Sequence, residues 1–160
     1  MSGNHLEELA AEWYEIQGYF VRRNVQVGPR PKGGYECELD IIAFHPVERR
    51  LVHLEASSDA DNWTKREQRF KKKFGAGKKH IPHIFAGVDL PEEPDKIALL
   101  VFAARGTRNK VGGGRIVLIK EFMAEIFEFV KTRRVNKAAI PEQYPLLRTL
   151  QFAAHYWPLR

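Results

Sequence analysis

Two runs, about 36–44 and 50–57, are separated only by a short connection around His45, Pro46 and Val47. Both read as strands, and side chains on a strand point to opposite faces in turn. In the first run Glu38, Asp40, Ile42 and Phe44 fall on one face, and Leu39, Ile41 and Ala43 on the other. In the second His53, Glu55 and Ser57 share a face opposite Val52, Leu54 and Ala56. Two such strands joined so closely are expected to form a hairpin. Their apolar members read as sheet-core residues that other segments of the chain cover.

The remaining segments supply that cover. Residues 4–17 place Leu6, Leu9, Ala10, Trp13 and Ile16 at helical spacing, and Gly18 suits a stop. Residues 19–27 read as a strand, and Gly28 to Gly34 as a turn or loop. A second helix is expected at roughly 60–75, with Asp59, Asp61 or Thr64 as N-cap. Ile81–Ala86, Ile97–Ala103 and Arg115–Ile119 read as short strands. Lys120–Arg133 reads as an amphipathic helix with Phe122, Ile126, Phe129 and Val130 on one face, and 141–155 as a last helix. The order predicts an α/β fold, a central mixed sheet begun by a meander and flanked by helices. The 160 residues suit one domain, 1–160.

Composition narrows the partners. The net charge is +6, which favours polyanions. The charge is concentrated between Lys65 and Lys79, with Lys65, Arg66, Arg69, Lys71, Lys72, Lys73, Lys78 and Lys79. A single cysteine, Cys37, permits no intrachain disulfide and fits a reducing cytoplasm. The opening residues lack a basic region followed by an apolar one, so no signal peptide is expected. No run approaches the ~18 apolar residues of a membrane span.

Asp40 and Glu55 stand among apolar neighbours, where an uncompensated charge is costly. Either acid alone is accounted for by solvent or an arginine partner. Both together, on adjacent strands, with an acid on the first helix and a basic helix following, favour a bound divalent cation. Mg²⁺ needs only one or two carboxylates plus waters and substrate phosphate.

Glu7 on a first helix, then Glu38-Leu39-Asp40, then Glu55-Ala56-Ser57, resembles the PD-(D/E)xK nuclease superfamily. The segment from Leu6 to Glu12, followed by Gly18-Tyr19, is similar to the opening helix of its Mrr-type and Holliday-junction-resolvase-like branches. The resemblance covers about residues 5–90, and its motifs are short and degenerate. It implies a restriction-endonuclease-like fold and cleavage of DNA phosphodiesters dependent on Mg²⁺ or Mn²⁺. Asp40 and Glu55 would be the metal ligands and Glu7 the helix-one acid, with Glu8 and Glu12 as weaker candidates. Nucleases of this kind often cut both strands as homodimers.

One position departs from the pattern. The superfamily places lysine two residues after the second acid, and here that residue is Ser57. A serine cannot offset developing negative charge. Either a lysine from the second helix reaches the site, or the domain has lost cleavage and is a DNA-binding or regulatory protein. Lys65 is the first candidate and Lys72 the second, with Gln68 able to contact phosphate or water. Lys65, Arg66, Arg69, Lys72 and Lys73 are expected to contact nucleic acid. A third reading is a small α/β protein whose basic helix docks an acidic protein.

Other residues are read as structural. Trp63, Phe70 and Phe74 form a buried helical stripe, His53 packs in the sheet, and His80 and His83 lack the partners of a zinc site. Gly112-Gly113-Gly114 is a turn, since no Lys-Ser/Thr follows to make a phosphate loop.

Overall fold

The structure, a computed structural model, describes residues 4–157. Helix α1 (His5–Ile16) begins at Asn4, whose side chain accepts from the Leu6 amide. Three antiparallel strands follow: β1 (Phe20–Pro29), β2 (Tyr35–His45) and β3 (Arg50–Ser57). Helix α2 (Trp63–Ile84) then crosses one face and returns the chain to β4 (Asp95–Leu100), which runs parallel to β3. A two-residue strand β5 (Lys110–Val111) forms a hairpin with β6 (Gly114–Leu118), and β6 lies parallel to β4. Helices α3 (Ile119–Lys131), α4 (Val135–Ala138) and α5 (Pro145–Tyr156) complete the chain. The result is α/β, with one mixed six-stranded sheet in the order β1-β2-β3-β4-β6-β5, flanked by helices.

Each face of the sheet has its own core. Ile41, Ala43, Val52, Leu54, Ile97 and Leu99 pack under α1, α3 and α5. Ile42, Phe44, Leu51, Ala98, Leu100 and Ile116 pack under α2, against Phe70, Phe74, Ala76 and Ile81. The strand that sequence places at Ile81–Ala86 is instead the last turn of α2 and the residues after it. The stripe Phe70, Phe74, Gly77, Ile81 keeps helical spacing through it, and burial of Ile81 holds the helix past Pro82. The α2 N-cap is Asn62, accepting from the Lys65 amide at 3.0 Å, and none of the three residues expected there. Gly112 and Gly113 make the β5–β6 turn with φ of 58° and 85°, as a two-residue hairpin turn demands.

Alternation is broken at one place. Leu39 packs with the α2-side cluster and Ile41 with the α1-side cluster, although an unbent strand would put them on one face. The break falls at Asp40. Across β1 it is matched by Asn24, which has φ of +49° and lies between the pairs Arg23–Ile41 and Val25–Leu39. The sheet therefore changes course along a line through Asn24 and Asp40.

No helix among the described residues is long and apolar enough to cross a membrane.

Candidate active site

The β2–β3 ladder runs from His45–Arg50 to Ile41–Leu54. One step further would set Asp40 opposite Glu55. There the side chains replace backbone pairing: the Asp40 amide donates to Glu55 Oε1 at 3.3 Å, and the Ala56 amide donates to Asp40 Oδ2 at 2.9 Å. Each carboxylate thus has one oxygen tied to backbone. The second oxygens, Asp40 Oδ1 and Glu55 Oε2, both lie 2.8 Å from Lys73 Nζ. Lys73 also donates to the Glu38 carbonyl.

Lys73 reaches this position because of its place on α2. At about 100° per residue it stands about 60° from Phe70 around the helix, beside the stripe that faces the sheet. Lys65 stands about 140° away from that stripe. The structure accordingly leaves Lys65 exposed, 3.9 Å from Asp61, and Lys72 exposed as well. A lysine from the second helix does enter the site, and it is Lys73 where sequence reasoning favoured Lys65.

Burial and charge shape the group. Asp40 is 8% exposed and Glu55 1%. Desolvation, reinforced by the neighbouring Glu55 charge, raises the Asp40 pKa to about 6 despite Lys73. Burial likewise raises Glu55. Burial also opposes the Lys73 charge, but Glu55 and Asp40 outweigh it and hold the ammonium above its ordinary pKa. Lys73 is therefore protonated at neutral pH.

The group opens into a cleft of about 350 Å³ lined also by Asn4, Glu7, Ser57, Asp59 and Arg69. Glu7 accepts from the Asn24 side chain at 2.9 Å, which joins α1 to the line where the sheet bends. Burial, offset in part by that hydrogen bond, raises the Glu7 pKa. At the position of the missing lysine, Ser57 Oγ accepts from Arg69 at 2.8 Å and donates to Asp59 at 2.7 Å. The Arg69 guanidinium lines the cleft with its charge paired to Asp59 at 2.5 Å and Asp61 at 3.2 Å.

Other expected residues lie elsewhere. Arg66 is buried, donating to the carbonyls of Asp59 and Phe102 at 3.1 and 2.6 Å, and so ties the β3–α2 loop to the end of β4. Glu8 pairs with Arg23 at 2.7 Å. Glu12 is buried and accepts from the Leu146 and Leu147 amides at 3.2 and 2.9 Å, satisfying free donors at the start of α5. Gln68 lines a separate surface hollow with Trp63, Arg108 and Lys110. Phe70 and Phe74 are buried, as the helical stripe predicts, whereas Trp63 is only partly buried against the cluster that holds them.

His53 does more than pack. It is fully buried, with Nε2 2.7 Å from Glu55 Oε1. Burial, then the Lys73 charge, lowers its pKa to about 3, so the ring is neutral. The signal in sequence was its place two residues before Glu55, on the same face.

Among the described residues, no three His, Cys, Asp or Glu side chains stand ready as a preformed metal ligand set. Two carboxylates do converge on one cation, Lys73 Nζ. A pair of hard oxygen ligands beside an open cleft suits Mg²⁺ or Mn²⁺, which can complete their shells with water and phosphate. Compared with protein-family models, curated proteins and solved structures, the chain matches none.

Proposed function

We infer that the chain is a metal-dependent endonuclease hydrolysing DNA phosphodiesters, on a restriction-endonuclease-like fold. The observation that carries this reading is the joint hold of Asp40 Oδ1 and Glu55 Oε2 on Lys73 Nζ at 2.8 Å, in a cleft shared with Glu7. Two buried acids from paired strands stand where the superfamily's motifs have theirs, and a lysine from the next helix lies where the motif lysine, two residues after the second acid, is missing. The lysine reaches it from α2, so Ser57 does not by itself remove the positive charge the chemistry needs.

Asp40 and Glu55 would hold Mg²⁺ or Mn²⁺, and Glu7, which Asn24 holds in the same cleft, would accept hydrogen bonds from waters on the ion. The ion supplies Lewis acidity and a more acidic water for attack on phosphorus. The protonated state of Lys73 gives it one task and denies it another. It cannot accept the water's proton. It can donate hydrogen bonds and offset charge on the pentavalent phosphate, the electrostatic share of the catalysis. Arg69 adds a permanent donor on the same side of the cleft. Lys65, Lys71 and Lys72, exposed on α2, would track the DNA backbone.

A second reading rests on the same ammonium. Lys73 pairs with both acids without any metal, as suits a nuclease-fold protein that binds DNA and does not cut it. A nicking assay on supercoiled plasmid, with Mg²⁺, Mn²⁺ or EDTA, separates the two. The nuclease reading expects nicking with either metal, none in EDTA, and loss of nicking in Glu55→Gln. Binding that persists in EDTA, with no cleavage of duplex, junction, flap or single-stranded DNA under either metal, would establish the second reading.

A further inference from the structure

The Glu55 carboxylate is held by more than its own strand. Oε1 accepts from the Asp40 amide at 3.3 Å and sits 2.7 Å from His53 Nε2. Were Nε2 to carry no proton, its lone pair would face one on the Oε1 carboxylate oxygen across 2.7 Å, so a proton belongs on Nε2. Oε1 then accepts two hydrogen bonds, which leaves Oε2, here paired with Lys73 Nζ at 2.8 Å, as the oxygen that can meet a cation.

The ring can stand there because α2 has a gap above it. A Cβ on Gly77 would lie 2.3 Å from both Nδ1 and Cε1 of His53, well inside contact distance. Phe74 closes the next side with its ring at right angles, centroids 5.0 Å apart. Among the described residues, Nδ1 has no hydrogen-bond partner. The ring is thus confined by packing, and its one directed interaction points at Glu55.

We propose that His53 is a positioning residue for the metal site, its Nε2–H fixing Glu55 so that Oε2 alone is presented to the cation, with Gly77 as the gap that admits the ring. This rests on the metal-site reading above and extends it to two residues that touch neither metal nor substrate. Partners of this kind typically affect metal affinity by about 10–100-fold.

The test is Mn²⁺ titration calorimetry on wild type, His53→Leu, His53→Gln and Gly77→Ala, with thermal melts of each. Leucine removes the donor at similar size, whereas glutamine keeps an N–H near Nε2. The expected result is Mn²⁺ affinity weakened about 10–100-fold in His53→Leu and Gly77→Ala, and within about threefold of wild type in His53→Gln. The Gly77 variant is informative because alanine is normally the more favourable residue inside a helix. His53→Leu that melts lower yet binds Mn²⁺ like wild type would overturn the proposal and leave the metal site standing. If His53→Leu does not fold, imidazole ¹⁵N–¹H spectra of wild type decide: a slowly exchanging proton on Nε2 is expected, and one on Nδ1 overturns the proposal. A wild type that binds no Mn²⁺ overturns the metal-site reading itself, and this proposal with it.

Discussion

Asp40 and Glu55 cap the open end of the β2–β3 ladder for each other's strand: the Asp40 amide donates to Glu55, and the Asp40 carboxylate accepts from Ala56 beside Glu55. The same contacts that finish the sheet orient both carboxylates. Each keeps one oxygen on the backbone and turns the other toward Lys73. Stability and site chemistry are therefore coupled at these residues.

Removing Lys73 should be expensive for folding. Lys73→Met leaves two buried carboxylates facing each other with no counter-charge, a change on the order of 3 kcal/mol. The loss should be greater at pH 8 than at pH 5, because protonation relieves the carboxylates at acid pH. Urea unfolding of wild type and variant at both pH values checks this, and a pH-independent difference would contradict it.

Asp40 carries its own pH signature. Its native pKa of about 6 lies above the ordinary 3.8, so the folded state binds the proton more tightly than the unfolded state. The Asp40 contribution to stability must then fall as pH rises from about 4 to 6. Asp40→Asn lacks this titration. Relative to wild type, the variant should gain on the order of 2 kcal/mol between pH 4 and pH 7, whatever its offset. Parallel stability profiles would show that Asp40 is not raised.

Glu12 separates structure from chemistry on α1. Its carboxylate satisfies two buried amides at the start of α5, so Glu12→Ala should cost about 1–3 kcal/mol. Cleavage by the folded fraction should be unchanged. A fall in activity beyond the fall in folded fraction would move Glu12 into the site.

Nucleic-acid contact should follow exposure. Lys65 and Lys72 are exposed, whereas Arg66 is buried against two carbonyls. Replacing both lysines with alanine should lower the salt slope of DNA binding by about 2, measured by fluorescence anisotropy in EDTA. An unchanged slope would place the DNA on another surface.

Much of the site could be read before any coordinates. Strand alternation put His53, Glu55 and Ser57 on one face of their strand, and the short connection put Asp40 on the strand beside it. Lys73 was legible too, had the helix been phased from its buried stripe, Phe70 and Phe74, and not counted from its N-terminus. The reach of α2 through Pro82 was hidden, because Ile81 to Ala86 is an apolar run too short to show its period. The bend at Asn24 and Asp40 was beyond local pattern: a positive φ at an asparagine leaves no mark in hydropathy, and it moves Leu39 to the other core.

The most direct test of the account compares plasmid nicking in Mn²⁺ by wild type, Lys73→Ala and Lys65→Ala, each corrected for its folded fraction. The account predicts a loss of about 100-fold or more in Lys73→Ala, as for other groups that stabilise developing charge, and Lys65→Ala within about threefold of wild type. Lys73→Ala that nicks as well as wild type would contradict it, and would leave the Asp40–Glu55–Lys73 group as a structural ion cluster at the end of a hairpin.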